Sequence, residues 1–220
     1  MILRPYQEQM VSKAVAALKK HGDTLAVAPT GAGKTVLLSA LAGRVGGKQL
    51  ILQHRDELTF QNAKKYREVN PRARVGMFNA DIKDWKGDAT FAMVQTLCRD
   101  RALSTIPKLD LLVIDEAHHA VAPSYRKVVD AVRDKNPDCR IFGVTATPAR
   151  GDGKGLRHIF SNCCDQLSLH SLIAMGFLVR PRTFVCTLEG TDDRLASLRK
   201  TASGEFDMNE AEAVLDMEVH

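Results

Sequence analysis

The 220 residues hold no apolar run approaching the roughly 18–20 residues that a bilayer-spanning helix requires, so neither a membrane segment nor a membrane partner is expected. The opening residues, Met1-Ile2-Leu3-Arg4-Pro5-Tyr6, lack an apolar stretch ahead of a small-residue cleavage site and are not read as a secretion signal. The five cysteines (Cys98, Cys139, Cys163, Cys164, Cys186) show no Cys-x-x-Cys spacing. An odd count without a framework argues against a disulfide scaffold or a zinc site, and predicts reduced thiols in a cytoplasmic protein. The adjacent Cys163 and Cys164 could form a redox pair, but are expected to be simply buried neighbours. Internal repeats and low-complexity tracts are also missing, which sets aside solenoids and disordered arrays. Residues 201–220 contain no Lys or Arg but six acids (Glu205, Asp207, Glu210, Glu212, Asp216, Glu218). Against a formal net charge of +5, that tail leaves +11 on residues 1–200. A basic body suits a polyanionic partner such as nucleic acid, though it equally suits a merely soluble basic protein.

What is present is an alternation of short apolar runs and helical patterns. Strands are expected at Leu25–Ala28, Gln49–Gln53, Arg74–Phe78, Thr90–Val94, Leu111–Ile114, Arg140–Val144 and Thr183–Thr187. Helices are expected at Tyr6–Lys20, where Met10, Val11, Ala14, Val15 and Leu18 form one stripe, and at Lys34–Arg44, Asp56–Val69 and Tyr125–Lys135. Strands that are apolar on both faces belong to a sheet covered by helices on both sides. The pattern predicts an α/β fold, a three-layer α/β/α sandwich with a mainly parallel sheet. Gly151–Gly155 reads as a loop. Beyond about residue 188 the pattern weakens.

Three segments carry chemistry. Ala28-Pro29-Thr30-Gly31-Ala32-Gly33-Lys34-Thr35 follows an expected strand and opens an expected helix. Glycines let the backbone turn so that successive N–H groups face phosphate oxygens, and the helix N-terminus adds partial positive charge. Lys34 would reach the β- and γ-phosphates and the Thr35 hydroxyl would ligate Mg²⁺. Leu111–Ile114 delivers Asp115 and Glu116 at a strand's carboxyl end, where open α/β sheets bind ligands. Asp115 suits the magnesium shell, and Glu116 suits orienting or deprotonating the attacking water. His118 is expected to link this site to the next segment, and His119 to be a solvated residue at a helix start; two adjacent histidines alone make no metal site. Gly143-Val144-Thr145-Ala146-Thr147-Pro148 ends a strand in two hydroxyls that could bond neighbouring carboxylates.

Taken together, these segments resemble superfamily 2 helicases of the DEAH/D-box kind, in particular the phage and bacterial branch related to XPB-like and RadD-like proteins. Arg4-Pro5-Tyr6-Gln7 resembles the adenine-reading Q motif, Ala28–Thr35 motif I, Asp115–His118 the DEAH box, and Thr145–Thr147 motif III. Gln53–Leu58 resembles motif Ia, Val94–Leu97 the next nucleic-acid contact motif, and Gly176–Pro181 the segment leading out of the domain. Ala28 in the first P-loop position is ordinary for that family.

The resemblance implies a RecA-like P-loop NTPase domain over residues 1–188, with 189–220 an acidic linker toward a second motor domain that this chain lacks. It implies an ATP hydrolase that uses ATP and Mg²⁺ to move on nucleic acid, with DNA favoured and RNA possible. Catalysis would fall to Glu116, Asp115 and Lys34. ATP binding would fall to Arg4, Gln7, Thr30, Gly31, Ala32, Gly33, Lys34 and Thr35, with Thr35 and Asp115 holding the metal. His118, Thr145 and Thr147 would couple hydrolysis to movement. Arg55, Thr96 and Arg150 would touch the nucleic-acid backbone, contacts that carry no sequence information; Arg55 could alternatively be a surface arginine in a helix-start salt bridge. Thr96 could alternatively cap a helix ahead of Leu97. Without arginine fingers from a second domain, typically worth about 10³–10⁵ in rate, the chain alone would turn over slowly. Other readings are the translocase module of a restriction or remodelling assembly, a nucleic-acid-binding module without turnover, and a small-molecule kinase. Intact Lys34, Asp115 and Glu116 argue against the binding module, and the DEAH and Thr-Ala-Thr segments against the kinase.

Overall fold

Five-residue runs such as Leu111–Asp115 are too short and too uniformly apolar for surface helices; buried on both faces, they form strands. The computed structural model describes residues 2–54, 56–147 and 155–182. Along the chain come α1 (Pro5–His21), β1 (Asp23–Val27), α2 (Lys34–Val45), β2 (Gln49–Gln53), α3 (Asp56–Val69), β3 (Val75–Phe78) and β4 (Ala89–Met93). There follow α4 (Val94–Leu97), α5 (Asp100–Leu103), β5 (Leu111–Asp115), α6 (Pro123–Lys135), β6 (Arg140–Thr145), β7 (Cys163–Gln166) and α7 (Leu169–Ala174). Single 3₁₀ turns occupy Ala117–His119 and Leu156–His158.

The seven strands form one sheet in the order β3-β4-β2-β5-β6-β1-β7, every described pairing parallel. Side chains alternate across it. Ala26, Ile51, Phe91, Val113 and Val144 face one core with Met10 and Leu18 of α1, Leu37 and Leu41 of α2, and Tyr66 of α3. Leu25, Leu52, Ala92, Ile114 and Ile141 face the other with Leu97 of α4 and Tyr125, Val128 and Val132 of α6. This is the expected three-layer sandwich. The all-parallel sheet goes further than the mainly parallel one anticipated.

Local chemistry sets the helix ends. Pro5 stands at the first turn of α1, where a missing N–H costs nothing. Gly22, at φ +78°, closes that helix by donating its N–H to Leu18 O at 3.0 Å. The expected helices match α1, α2, α3 and α6, and six expected strands match β1 to β6 within a residue or two. The strand expected at Thr183–Thr187, the loop at 151–154 and the acidic linker at 189–220 lie outside the described residues.

Two expectations change. The edge strand β7 was not anticipated, because Cys163-Cys164-Asp165-Gln166 has no apolar pattern. It forms through main-chain pairing with β1, Leu25 opposite Cys163 and Val27 opposite Gln166. For the same reason the Cys163–Cys164 pair is not buried: Cys163 is exposed and Cys164 half-buried. Neighbours on a strand point to opposite faces: Cys164 packs against the α1-side core, whereas Cys163 faces the other way and stays exposed.

Gly143 in β6 is closely packed within the α6-side core. A Cβ there would stand 2.3 Å from Phe160 Cζ and 2.9 Å from Ala117 Cβ. Gly143→Ala should therefore lower stability by about 1–3 kcal/mol through overpacking, and Phe160→Leu should recover part of it. Thermal melts of the single and double variants check this; an unchanged Tm for Gly143→Ala would show that the Phe160 ring moves aside freely.

Candidate functional site

The site arises from strand register. In the order β5-β6-β1, Asp115 pairs with Val144 and Thr145 with Val27. The carboxyl ends of three strands thus finish level. Ala28, the first residue past β1, donates its N–H to Thr145 O at 2.9 Å, fastening the start of the phosphate loop to β6. Within the loop Gly31 has φ +86° and Gly33 φ +77°, left-handed conformations that glycine adopts without strain. Gly33 stands at the N-cap of α2, so Lys34 begins the helix. A Cβ on Gly33 would meet Gln7 Nε2 at 2.8 Å, and one on Gly31 would meet the Leu178 side chain at 2.9 Å. The loop is a backbone cradle that side chains would fill. Thr30 and Gly31 are exposed at its rim, and Ala32 is buried beneath it.

The carboxylates face that cradle. Lys34 Nζ lies 3.4 Å from Glu116 Oε1. Asp115 is buried and receives the Glu116 N–H on Oδ1 at 2.9 Å. Burial, with Glu116 beside it, pushes the Asp115 carboxyl up to about 6, against the downward pull of the Glu116 N–H, Lys34 and Gln53. Glu116 itself sits at φ +49°, the one non-glycine residue with positive φ among the described residues. Such conformations cost of order 1–3 kcal/mol and persist where surroundings over-determine them. Here the chain must leave β5 and enter the Ala117–His119 turn at once.

Asn62 of α3 joins the two halves. The Thr35 hydroxyl donates to Asn62 Oδ1 at 3.0 Å, and Asn62 Nδ2 donates to Asp115 Oδ2 at 3.2 Å and to Gln53 Oε1 at 3.0 Å. The groups available to a cation are therefore neutral and anionic oxygens, the donor set that suits Mg²⁺ rather than a soft metal. Among the described residues no cluster of three His, Cys, Asp or Glu could hold a metal by itself. A magnesium ion that takes one or two protein oxygens and completes its shell with water and phosphate needs no such cluster.

His118 Nδ1 shares a hydrogen bond with Thr145 Oγ1 (3.0 Å) and lies 3.5 Å from Glu116 Oε2. Thr145 Oγ1 also receives the Thr147 N–H at 3.2 Å. The three residues expected to couple are thus one connected group. His119 departs from its expected role: rather than a solvated helix start, it is a half-buried member of a ring stack. Its centroid lies 4.0 Å from that of His118 and 4.5 Å from that of His54, and Gln95 Nε2 donates to His54 O at 3.1 Å. The stack runs from the Glu116 neighbourhood to Gln95, next to Thr96.

Arg4 and Gln7 lie at the opposite rim. Gln7 is buried; its Oε1 receives the Arg4 N–H at 3.0 Å and its Nε2 donates to Ala32 O at 3.1 Å. The Tyr6 hydroxyl donates to the same carbonyl at 3.0 Å. The Arg4 guanidinium stands 5.3 Å from the centroid of Phe177, which meets Tyr6 edge-on at 4.9 Å. Thr96 is the third residue of α4, which has Met93 at its N-cap, so Thr96 does not cap that helix. Arg55 and Arg150 lie outside the described residues. Asn62, His54, His119 and Tyr6 were not singled out as site residues. A buried Asn inside an otherwise amphipathic helix is the one signal that could have marked Asn62.

Residues 1–150 match the family described as Type III restriction enzyme, res subunit. A putative ATP-dependent helicase of Saccharomyces cerevisiae is 33% identical over 172 residues, covering 70% of this chain and 25% of that protein. A putative mitochondrial ATP-dependent helicase of Schizosaccharomyces pombe is 32% identical over 191 residues, covering 82% and 32%. The chain therefore spans a quarter to a third of the length of these curated relatives. Among solved structures, the Hef helicase domain of Pyrococcus furiosus is 26% identical with a TM-score of 0.56, over 67% of this chain and 33% of that one. The UvsW helicase from bacteriophage T4 shares the fold at 17% identity and a TM-score of 0.60, over 75% and 60%. Phosphate cradle, paired carboxylates, sheet order and these matches agree: the chain belongs to the Type III restriction enzyme res-subunit family and is a first RecA-like domain of the superfamily 2 helicase kind.

Proposed function

We propose that this domain binds ATP with Mg²⁺ and hydrolyses it to drive movement on nucleic acid, DNA in preference to RNA, as half of a two-domain motor. The observation that carries the reading is Lys34 set 3.4 Å from Glu116 at the mouth of the phosphate loop, with the buried Asp115 beside them. Lys34 and the loop N–H groups bind the phosphates, while Gln7 and Arg4 border the adenine side. Thr35 and Asp115 hold the metal, which supplies charge neutralisation on the phosphates. Nucleotide entry draws Lys34 from Glu116 to phosphate. Glu116 is then free to orient the attacking water and accept its proton. Its other oxygen is near His118, so a change at Glu116 reaches Thr145 and Thr147. Among the described residues Lys34 is the one Lys or Arg paired with Glu116. A second RecA-like domain supplies the arginine donors for charge developing in the transition state. The family match fits equally a translocase within a restriction assembly, which would use the same site. A nuclease segment in the full-length protein separates the two readings.

Lys34→Ala should weaken nucleotide binding about 10- to 100-fold, the worth of a charge-assisted contact, in a calorimetric titration. Glu116→Gln should keep binding and lower the turnover of the full-length motor by about 10²-fold or more. Equal turnover of Glu116→Gln and wild type removes Glu116 from the chemistry.

Asp115 generates a pH dependence. Its folded pKa of about 6 lies above the unfolded 3.8, so the folded state keeps a proton that the unfolded state releases. Its contribution to stability is full below pH 4 and is lost as pH rises through 6, roughly 2–3 kcal/mol in all. Asp115→Asn should therefore raise the Tm of the nucleotide-free protein at pH 7 and leave it little changed at pH 4. The same variant should abolish the added stability from Mg²⁺ and ATP. A lowered Tm at pH 7 would contradict this.

A further inference from the structure

Beside the edge strand β3 lies a cavity of about 460 Å³ that the ATP site does not use. Phe78 and Trp85 line it, their rings 5.0 Å apart and tilted by 40°. Trp85 Nε1 donates to Thr105 Oγ1 at 3.1 Å, so the edge of the indole is anchored before any ligand arrives. Lys83 is anchored as well: its ammonium sits 4.8 Å over the Phe78 ring and donates to Ala80 O at 3.1 Å. Arg99 and Arg101 complete the lining and are exposed. Among the described residues their guanidinium groups make no ion pair or hydrogen bond, and no Asp or Glu lines the cavity. Thr96 stands at its border.

An aromatic wall takes the π-face of any nucleobase, and uncommitted guanidinium groups lining the same cavity can bind phosphate. The two together are the chemistry of sequence-tolerant single-strand binding. The volume falls in the range of small-ligand sites, roughly 300–1,000 Å³. We propose that this cavity takes one unstacked nucleobase of a bound single strand, with the base against Trp85 and the flanking phosphates on Arg99 and Arg101. It thereby extends the nucleic-acid track past Thr96 toward the β3 edge of the sheet. The inference rests on the nucleic-acid reading of the preceding subsection.

Trp85 is the only tryptophan of the chain, so its fluorescence reports on this cavity alone. The experiment adds oligothymidylate, or an abasic oligonucleotide of equal length and charge, to the 220-residue protein. It reads Trp85 emission and, with labelled strands, fluorescence anisotropy. Expected are quenching by oligothymidylate, no quenching by the abasic strand, and affinity about tenfold weaker for the abasic strand, the usual worth of one stacked base. Replacing both Arg99 and Arg101 by Gln should weaken both strands and flatten the salt dependence, because about two phosphate contacts are lost. Trp85→Phe keeps the packing on Phe78 and should retain most of the preference for a base, whereas Trp85→Ala should erase it. Oligothymidylate that binds by anisotropy without changing Trp85 emission overturns the proposal and leaves the motor reading standing. So does an abasic strand that quenches equally. If neither strand binds by anisotropy, the nucleic-acid reading itself fails and this inference with it.

Discussion

Everything at the site depends on the parallel register of β5, β6 and β1. A parallel sheet sends all its strand ends to one side, and here Asp115, Val144, Thr145 and Val27 finish within a residue of one another. Ala28 N–H on Thr145 O then fixes where the phosphate loop starts. A one-residue slip of β6 would turn Thr145 to the opposite face, because side chains alternate. His118 would lose its hydroxyl and the phosphate loop its anchor. The register is held by alternating burial: Ile141 and Gly143 belong to one face, Phe142 and Val144 to the other, and neither set tolerates solvent.

The cost of this arrangement gathers at two residues. Asp115 gives up water to sit at the end of a strand with no exposed side chains, and Glu116 adopts a backbone conformation that few side chains take. Both are natural consequences of placing two acids where an apolar strand meets a tight turn. A divalent cation entering beside the cradle would supply the positive charge that Asp115 lacks. The same burial that disfavours the charged Asp115 therefore favours a cation beside it.

The helix faces divide the labour. α1, α2 and α3 bring Gln7, Lys34, Thr35 and Asn62 to the phosphate side, whereas the Ala117–His119 turn carries the ring stack toward His54 and Gln95. The stack gives the nucleotide side and the α4 side a path of directly touching groups, Glu116, His118, His119 and His54. Each member is held by packing or by a hydrogen bond rather than by a flexible tether.

Much of this was legible in the residues alone. Apolar runs of strand length, helical stripes, a glycine-rich turn ahead of Lys34-Thr35 and two acids closing a buried strand are local patterns. Local backbone preferences and burial periodicity suffice to read them, so four helices and six strands lie where expected. What required tertiary structure was whatever depends on residues far apart in the chain. Asn62 bridges Thr35 and Asp115 only because α3 packs beside α2 and over β2 and β4. His119 became a stacked ring, not a solvated one, because His54 directly follows β2, the strand next to β5. β7 exists because β1 offered an open edge to a segment with no strand pattern of its own, and Cys163 stays exposed there. Sequence determined the elements and the chemistry each one carries. Packing decided which of those groups meet, because the distance between two side chains is set by strand order and register, which no single stretch of sequence contains.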